Sequence, residues 1–164
     1  MTTPIAETVT VGTSAPDFTL PAGLGRQVTL SGLRGSIVVL VFYPGDWSPV
    51  CGDQWSTLAP HRSEFDALGA TLLGISVDGI FSHAAFADAR GISFDLLSDF
   101  EPKGAVARQY GVYRPEGFNR RALVVIDREG IVRWVQVIDR DGEPDRDPGA
   151  DEILEAVREV ASSW

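Results

Sequence analysis

The sequence predicts an α/β fold, a central mixed β-sheet flanked by helices, on three observations. Short apolar runs alternate with helical patterns along the chain. One run, Ile37–Phe42, is uninterrupted enough to be a strand buried on both faces. Residues 121–127 and 131–137 read as an antiparallel pair joined by Arg128, Glu129 and Gly130, whose glycine suits a short hairpin turn. No internal repeat or low-complexity linker breaks the pattern, so residues 1–164 read as one domain, with residues 1–12 expected to fray.

The other elements follow from period and punctuation. Residues 15–20 and 27–30 read as short strands around a glycine-rich turn at 21–25. After the run at 37–42, Trp55, Leu58, Phe65 and Leu68 fall within one helical arc, and Pro60, which lacks an amide donor, is expected to kink that helix. Residues 71–77 read as a second buried strand, 82–90 as a helix capped by Ser82, 94–97 as a strand and 102–110 as a helix ended by Gly111. Beyond the hairpin, the acidic, proline-containing stretch 139–148 is expected to be an exposed loop, and 151–162 an amphipathic closing helix with acidic residues in its first turn.

Composition excludes several classes of function. Fourteen Lys and Arg against 23 Asp and Glu give a net charge of −9, which repels phosphate backbones and anionic lipid, so neither nucleic acid nor a membrane surface is expected as a partner. No apolar stretch approaches the ~20 residues of a membrane span. The first residues lack the basic and apolar segments of a signal peptide, and a lone cysteine forms no internal disulfide; a reducing cytoplasm is the expected location.

That single cysteine, Cys51, follows the buried run at 37–42 by a short loop. Ser48 suits an N-cap and Pro49 the first helical position, where its missing donor costs nothing, so Cys51 is expected in the first turn of a helix facing unpaired amides. Amide donors and the positive helix end favour the thiolate there. Ser48 either caps only or also donates to sulfur or to a substrate oxygen. Pro44 either ends the strand only or also shields the thiolate from water.

The spacing Pro44-x-x-x-Ser48-Pro49-x-Cys51 resembles the active-site signature of the peroxiredoxins, Pro-x-x-x-Thr/Ser-x-x-Cys. The segments at 11–20, 74–78 and 96–112 are also similar to that family, most of all to its one-cysteine, AhpE-type members. Arg121 followed by Ala122 matches the family's arginine at the start of a late strand. Arg120 competes for the role, and strand alternation sends the two to opposite faces, so only one can approach the sulfur. The resemblance implies a thioredoxin-like fold of the peroxiredoxin type, in which Cys51 attacks a peroxide oxygen and becomes a sulfenic acid, assisted by Ser48 and Arg121 and shielded by Pro44. It implies no cofactor.

Departures from the family pattern sharpen these expectations. Gln54 stands where relatives often carry Glu, which removes a negative charge from the sulfur's vicinity. Trp47 stands where relatives often carry Phe and is expected as a pocket wall or a subunit contact; Val50 and Gln54 complete the expected substrate pocket. Two-cysteine relatives sometimes place a second thiol where this chain has Ser56, so the reductant is expected from outside: a small thiol, or a thioredoxin-like or glutaredoxin-like protein. Homodimers are common among relatives, and Trp47 and Phe81 are candidates for the contact.

Rival readings are weaker. A thioredoxin-type reductase needs Cys-x-x-Cys, but Gln54 occupies the second position. A Cys-His hydrolase needs an imidazole beside the thiol; His61 lies ten residues along the helix, about 15 Å by axial rise, and His83 is expected at the surface. No His/Cys cluster has metal-ligand spacing, so no metal is expected. The alternative to an enzyme is a cysteine redox sensor that relays oxidation to a partner protein.

Overall fold

The computed structural model describes residues 7–138 and 149–163. In chain order it contains Thr19–Gly23 (β1), Arg26–Thr29 (β2), Ile37–Phe42 (β3), Pro49–Leu58 (α1), Arg62–Ala67 (α2), Ala70–Ser76 (β4), Ile80–Arg90 (α3), Asp95–Ser98 (β5), Ala105–Tyr110 (α4), Ala122–Ile126 (β6), Val132–Val137 (β7) and Ala150–Ser162 (α5). β1 and β2 form a separate antiparallel hairpin, and the other five strands form one sheet in the order β5-β4-β3-β6-β7. β3 pairs parallel with β4 and antiparallel with β6, so the sheet is mixed.

The six apolar residues of β3 are all buried because the strand is central and covered on both faces. Alternation divides them. Ile37, Val39 and Val41 join Trp55 and Leu58 of α1, Phe65 of α2 and Ile153, Leu154 and Val157 of α5. Val38, Leu40 and Phe42 join Val106 and Tyr110 of α4 and Phe18 and Leu20 near the hairpin. The two-faced core is what period-2 side-chain geometry requires of such a run.

Several elements begin elsewhere than expected. The first strand starts at Thr19 rather than residue 15 and includes Pro21, which a two-stranded hairpin tolerates near a register shift. Pro60 does more than kink its helix: a 3₁₀ turn over Ala59–His61 separates α1 from α2. α3 starts at Ile80 with Gly79 as its N-cap, because the Ser82 hydroxyl is engaged by Asp46 instead. α4 starts at Ala105, where the Asp99 carboxylate at the end of β5 accepts from the Val106 and Ala107 amides. Gly111, at φ +70°, ends α4 as expected.

Of the N-terminal stretch, residues 1–6 lie outside the described residues. The part that follows is hydrogen-bonded: the Val9 amide donates to the Tyr110 carbonyl and the Gly12 amide to that of Val132. The expected loop at 139–148 also lies outside the described residues. The closing helix, α5, buries Ile153, Leu154, Val157 and Val160 on one face.

Candidate active site

β3 delivers the chain into a loop, Tyr43 to Ser48, that turns it into α1. Ser48 has extended backbone angles, and its Oγ accepts from the Cys51 amide at 3.5 Å, the long end of a hydrogen bond. Pro49 occupies the first helical position, and no acidic residue lies in the first turn, so nothing there offsets the positive helix end. Cys51 thus sits at the third helical position, as the spacing of Ser48 and Pro49 predicts.

The Cys51 side chain has no solvent-exposed surface and belongs to the core formed by α1, α2, α5 and one sheet face. Its sulfur is not sealed in hydrocarbon, however. Arg121, also fully buried and placed just before β6, brings Nη2 to 3.3 Å from Sγ. Its other arm, Nη1, donates to Gln54 Oε1 at 2.6 Å. Gln54 lies three residues after Cys51 and therefore on the same helix face. The guanidinium is thereby oriented by one contact and applied to sulfur by the other.

Gln54 is buried, and its Nε2 has no partner among the described residues. A buried amide donor left open costs free energy unless something occupies it, so this nitrogen is available to an incoming polar group. Arg120 goes elsewhere: it is half-buried and lines a cleft with Thr8, Val11, Val135 and Val137. Strand alternation separates the two arginines as expected, and Arg121 is the one at the sulfur.

Pro44, Ser48 and Val50 are each half-buried. Trp47 is 53% exposed, takes a left-handed backbone (φ +69°), and sets its ring edge-on to Phe86 of α3 at 5.3 Å between centroids. Trp55 packs inward as α1's anchor, edge-on to Tyr43.

One expectation is overturned. His83 is not at the surface: it is 4% exposed, with Nδ1 2.8 Å from Asp46 Oδ2 and Nε2 3.1 Å from the Leu97 carbonyl. Position 83 looked like an exposed helix residue because its partners, 37 residues back and 14 ahead, carry no local signal. Asp46, Asp78 and His83 each offer a ligand atom within 4.8 Å of the others, a clustering that sequence spacing did not show. Those atoms are engaged by protein donors: Tyr43 and Ser82 hydroxyls on Asp46, and the Asp46 amide and Ser76 hydroxyl on Asp78.

Comparison with known proteins places the geometry in context. Residues 11–135 match the AhpC/TSA family. Alkyl hydroperoxide reductase E of Mycobacterium tuberculosis is 40% identical over 129 residues, covering 77% of this chain and 84% of that protein. Peroxiredoxin 2 of Thermoplasma acidophilum is 35% identical over 161 residues, covering 94% and 77%. Among solved structures, peroxidoxin BcpB from Mycobacterium tuberculosis superposes with a TM-score of 0.79 at 33% identity, covering 92% of this chain and 97% of that one.

Proposed function

Because this chain belongs to the AhpC/TSA family of peroxiredoxins and is a thiol-dependent peroxidase of the one-cysteine kind, we propose that Cys51 is its peroxide-reducing nucleophile, with Arg121 and Ser48 as polarising donors and Pro44 as shield. The observation that carries this assignment is the Arg121 guanidinium, held by Gln54 at 2.6 Å and presented to the Cys51 sulfur at 3.3 Å.

The chemistry follows from that arrangement. The thiolate attacks one peroxide oxygen; the S–O bond forms as the O–O bond breaks, and the departing hydroxide or alkoxide takes up a proton. Cys51 is left as a sulfenic acid. An ordinary thiol is about 3% ionised at neutral pH, so full ionisation gains only about 30-fold. The remaining acceleration comes from donors that follow negative charge from sulfur to the leaving oxygen. Arginine suits this because its planar fork contacts sulfur and oxygen together and stays charged. Val50, Trp47 and the open Gln54 amide form the pocket that receives the peroxide.

With no second cysteine in the chain, the sulfenic acid is reduced by an external thiol, small or carried by a thioredoxin-like or glutaredoxin-like protein. The lone thiol suits a reducing cytoplasm. Among the described residues no helix is long and apolar enough to cross a membrane. Peroxiredoxins commonly form dimers, and exposed Trp47 and Phe81 support a homodimer here.

Stopped-flow measurement of peroxide loss tests the assignment. The wild type is expected to consume about one peroxide per chain without thiol and to turn over with dithiothreitol, while Cys51→Ser does neither. Equal peroxide loss by both proteins would reject Cys51 as the nucleophile.

A further inference from the structure

We propose that Asp46 and His83 form a buried hydrogen-bonded pair that fixes the loop between Pro44 and Ser48, which makes both of them positioning residues for Cys51; the inference rests on the peroxidase reading of that site. The hydrogen-bond roles follow from the partners. A carbonyl only accepts, so Nε2, 3.1 Å from the Leu97 oxygen, carries a proton. Nδ1 faces Asp46 Oδ2 at 2.8 Å and the Tyr43 hydroxyl at 3.3 Å; toward a carboxylate it also donates. The ring thus meets an acceptor at each nitrogen, with the imidazole 4% and the carboxylate side chain 0% exposed.

Asp46 is a hub. Its Oδ1 accepts from the Tyr43 hydroxyl at 2.8 Å and its Oδ2 from the Ser82 hydroxyl at 2.8 Å, while its amide donates to Asp78 Oδ2 at 2.8 Å. Burial, and then the Asp46 charge, hold the Tyr43 phenol well above its ordinary pKa, so Tyr43 stays a donor. A divalent cation at this point would have to displace the hydroxyl donors that already occupy both carboxylates, which argues against reading the cluster as a metal site.

The pair has something to hold. Trp47, immediately after Asp46, lies in the left-handed region at φ +69°, a conformation disfavoured for any residue with a Cβ and kept only where the surroundings over-determine it. Asp46 pins one side of that strained residue to α3 through Ser82 and His83, and to the end of β5 through His83 and the Leu97 carbonyl. On the other side stands Ser48, whose Oγ caps the Cys51 amide. Two residues before Asp46 is Pro44. Fixing Asp46 therefore fixes the residue that caps the Cys51 amide and the proposed shield, Pro44.

Two substitutions separate this role from simple core filling. An Asn amide nitrogen falls where histidine Nδ1 stood, and a Gln amide nitrogen where Nε2 stood. His83→Asn keeps the donor to Asp46 and gives up the bond to Leu97; His83→Gln does the reverse. Peroxide-driven oxidation of Cys51, followed by single-turnover stopped flow, is expected to stay within about 3-fold of wild type in His83→Asn and to fall about 10-fold or more in His83→Gln. Iodoacetamide alkylation, which needs no aligned peroxide, is expected to change less than oxidation in both.

Nitrogen-15 NMR of the wild type and Asp46→Asn supplies a second readout independent of activity. With only two histidines in the chain, the His83 ring is assignable, and its nitrogen resonances are expected to move in Asp46→Asn while those of His61 stay in place. His83 ring resonances that stay unmoved in Asp46→Asn, or His83→Gln reacting as fast as His83→Asn, would overturn the pair. If wild type consumed peroxide no faster than Cys51→Ser, the peroxidase reading would fall, while the ring spectrum would still decide the pair.

Discussion

The guanidinium of Arg121 does two jobs at once, and a lysine cannot do both. Nη1 is committed to Gln54 while Nη2 reaches sulfur, so one rigid plane is oriented and applied without either arm competing with the other. Arg121→Lys keeps the charge but loses the fork, and is expected to slow oxidation of Cys51 by about 100-fold in stopped flow. A rate within a few-fold of wild type would mean that charge alone suffices. This contact was legible in the sequence, because alternation at the start of β6 and the family-like Arg121-Ala122 together select one arginine. The His83 contact was not, since a buried hydrogen bond between a loop and a helix leaves no periodic trace in either segment.

At the scale of elements, the site depends on how α1 is seated. Gly74 lies in the middle of β4, and a Cβ there would stand 2.5 Å from Trp55 Cζ2 and 2.6 Å from Leu96 Cδ2. The glycine lets the indole rest directly on the sheet four residues beyond the nucleophile. Gly74→Ala is expected to cost about 1–3 kcal/mol in thermal or denaturant unfolding, and to slow Cys51 oxidation because α1 must shift. An unchanged melting temperature would show that Trp55 yields without strain. The hairpin opposite carries a pH-dependent tie: Asp127 accepts from the Glu129 and Ile131 amides and from Arg133 Nε. Burial alone would raise its carboxyl, but the Ile131 amide, Arg133 and the Glu129 amide outweigh that and hold it below its ordinary value. A group held low when folded adds stability that is full above the unfolded value of about 3.9 and is lost as pH falls through the folded one. Asp127→Asn should therefore unfold more readily than wild type at neutral pH, with the gap closing in acid; a gap independent of pH would refute this. Apolar runs and a glycine made the strands and this hairpin readable. The starts of α3 and α4 were not, because Ser82 and Asp99 satisfy groups set by the tertiary fold, and cap residues cannot be told from such ties by local sequence.

For the whole molecule, the strand order β5-β4-β3-β6-β7 lay beyond what periodicity alone reveals, since, apart from the β6–β7 hairpin, pairing partners lie tens of residues apart; resemblance to the family implied the thioredoxin-like arrangement that the sheet displays. That arrangement leaves exposed apolar side chains near the loop that carries the site. Phe81 is 76% and Phe100 60% exposed, Gly79 lies beside Phe100, and Trp47 leans on Phe86 of the same helix. Two chains each carrying a net charge of −9 repel, so a self-association that survives must bury apolar area of this kind and not rest on charge. The wild type is accordingly expected to sediment as a dimer at micromolar concentration. Phe81→Asp, which removes an aromatic and sets like charges against each other, is expected to sediment as a monomer while keeping its far-ultraviolet circular dichroism. Because α3 also holds His83, loss of the contact should loosen the loop and slow Cys51 oxidation as well. A wild type that stays monomeric at every concentration, or a Phe81→Asp protein that remains dimeric, would move the interface away from α3.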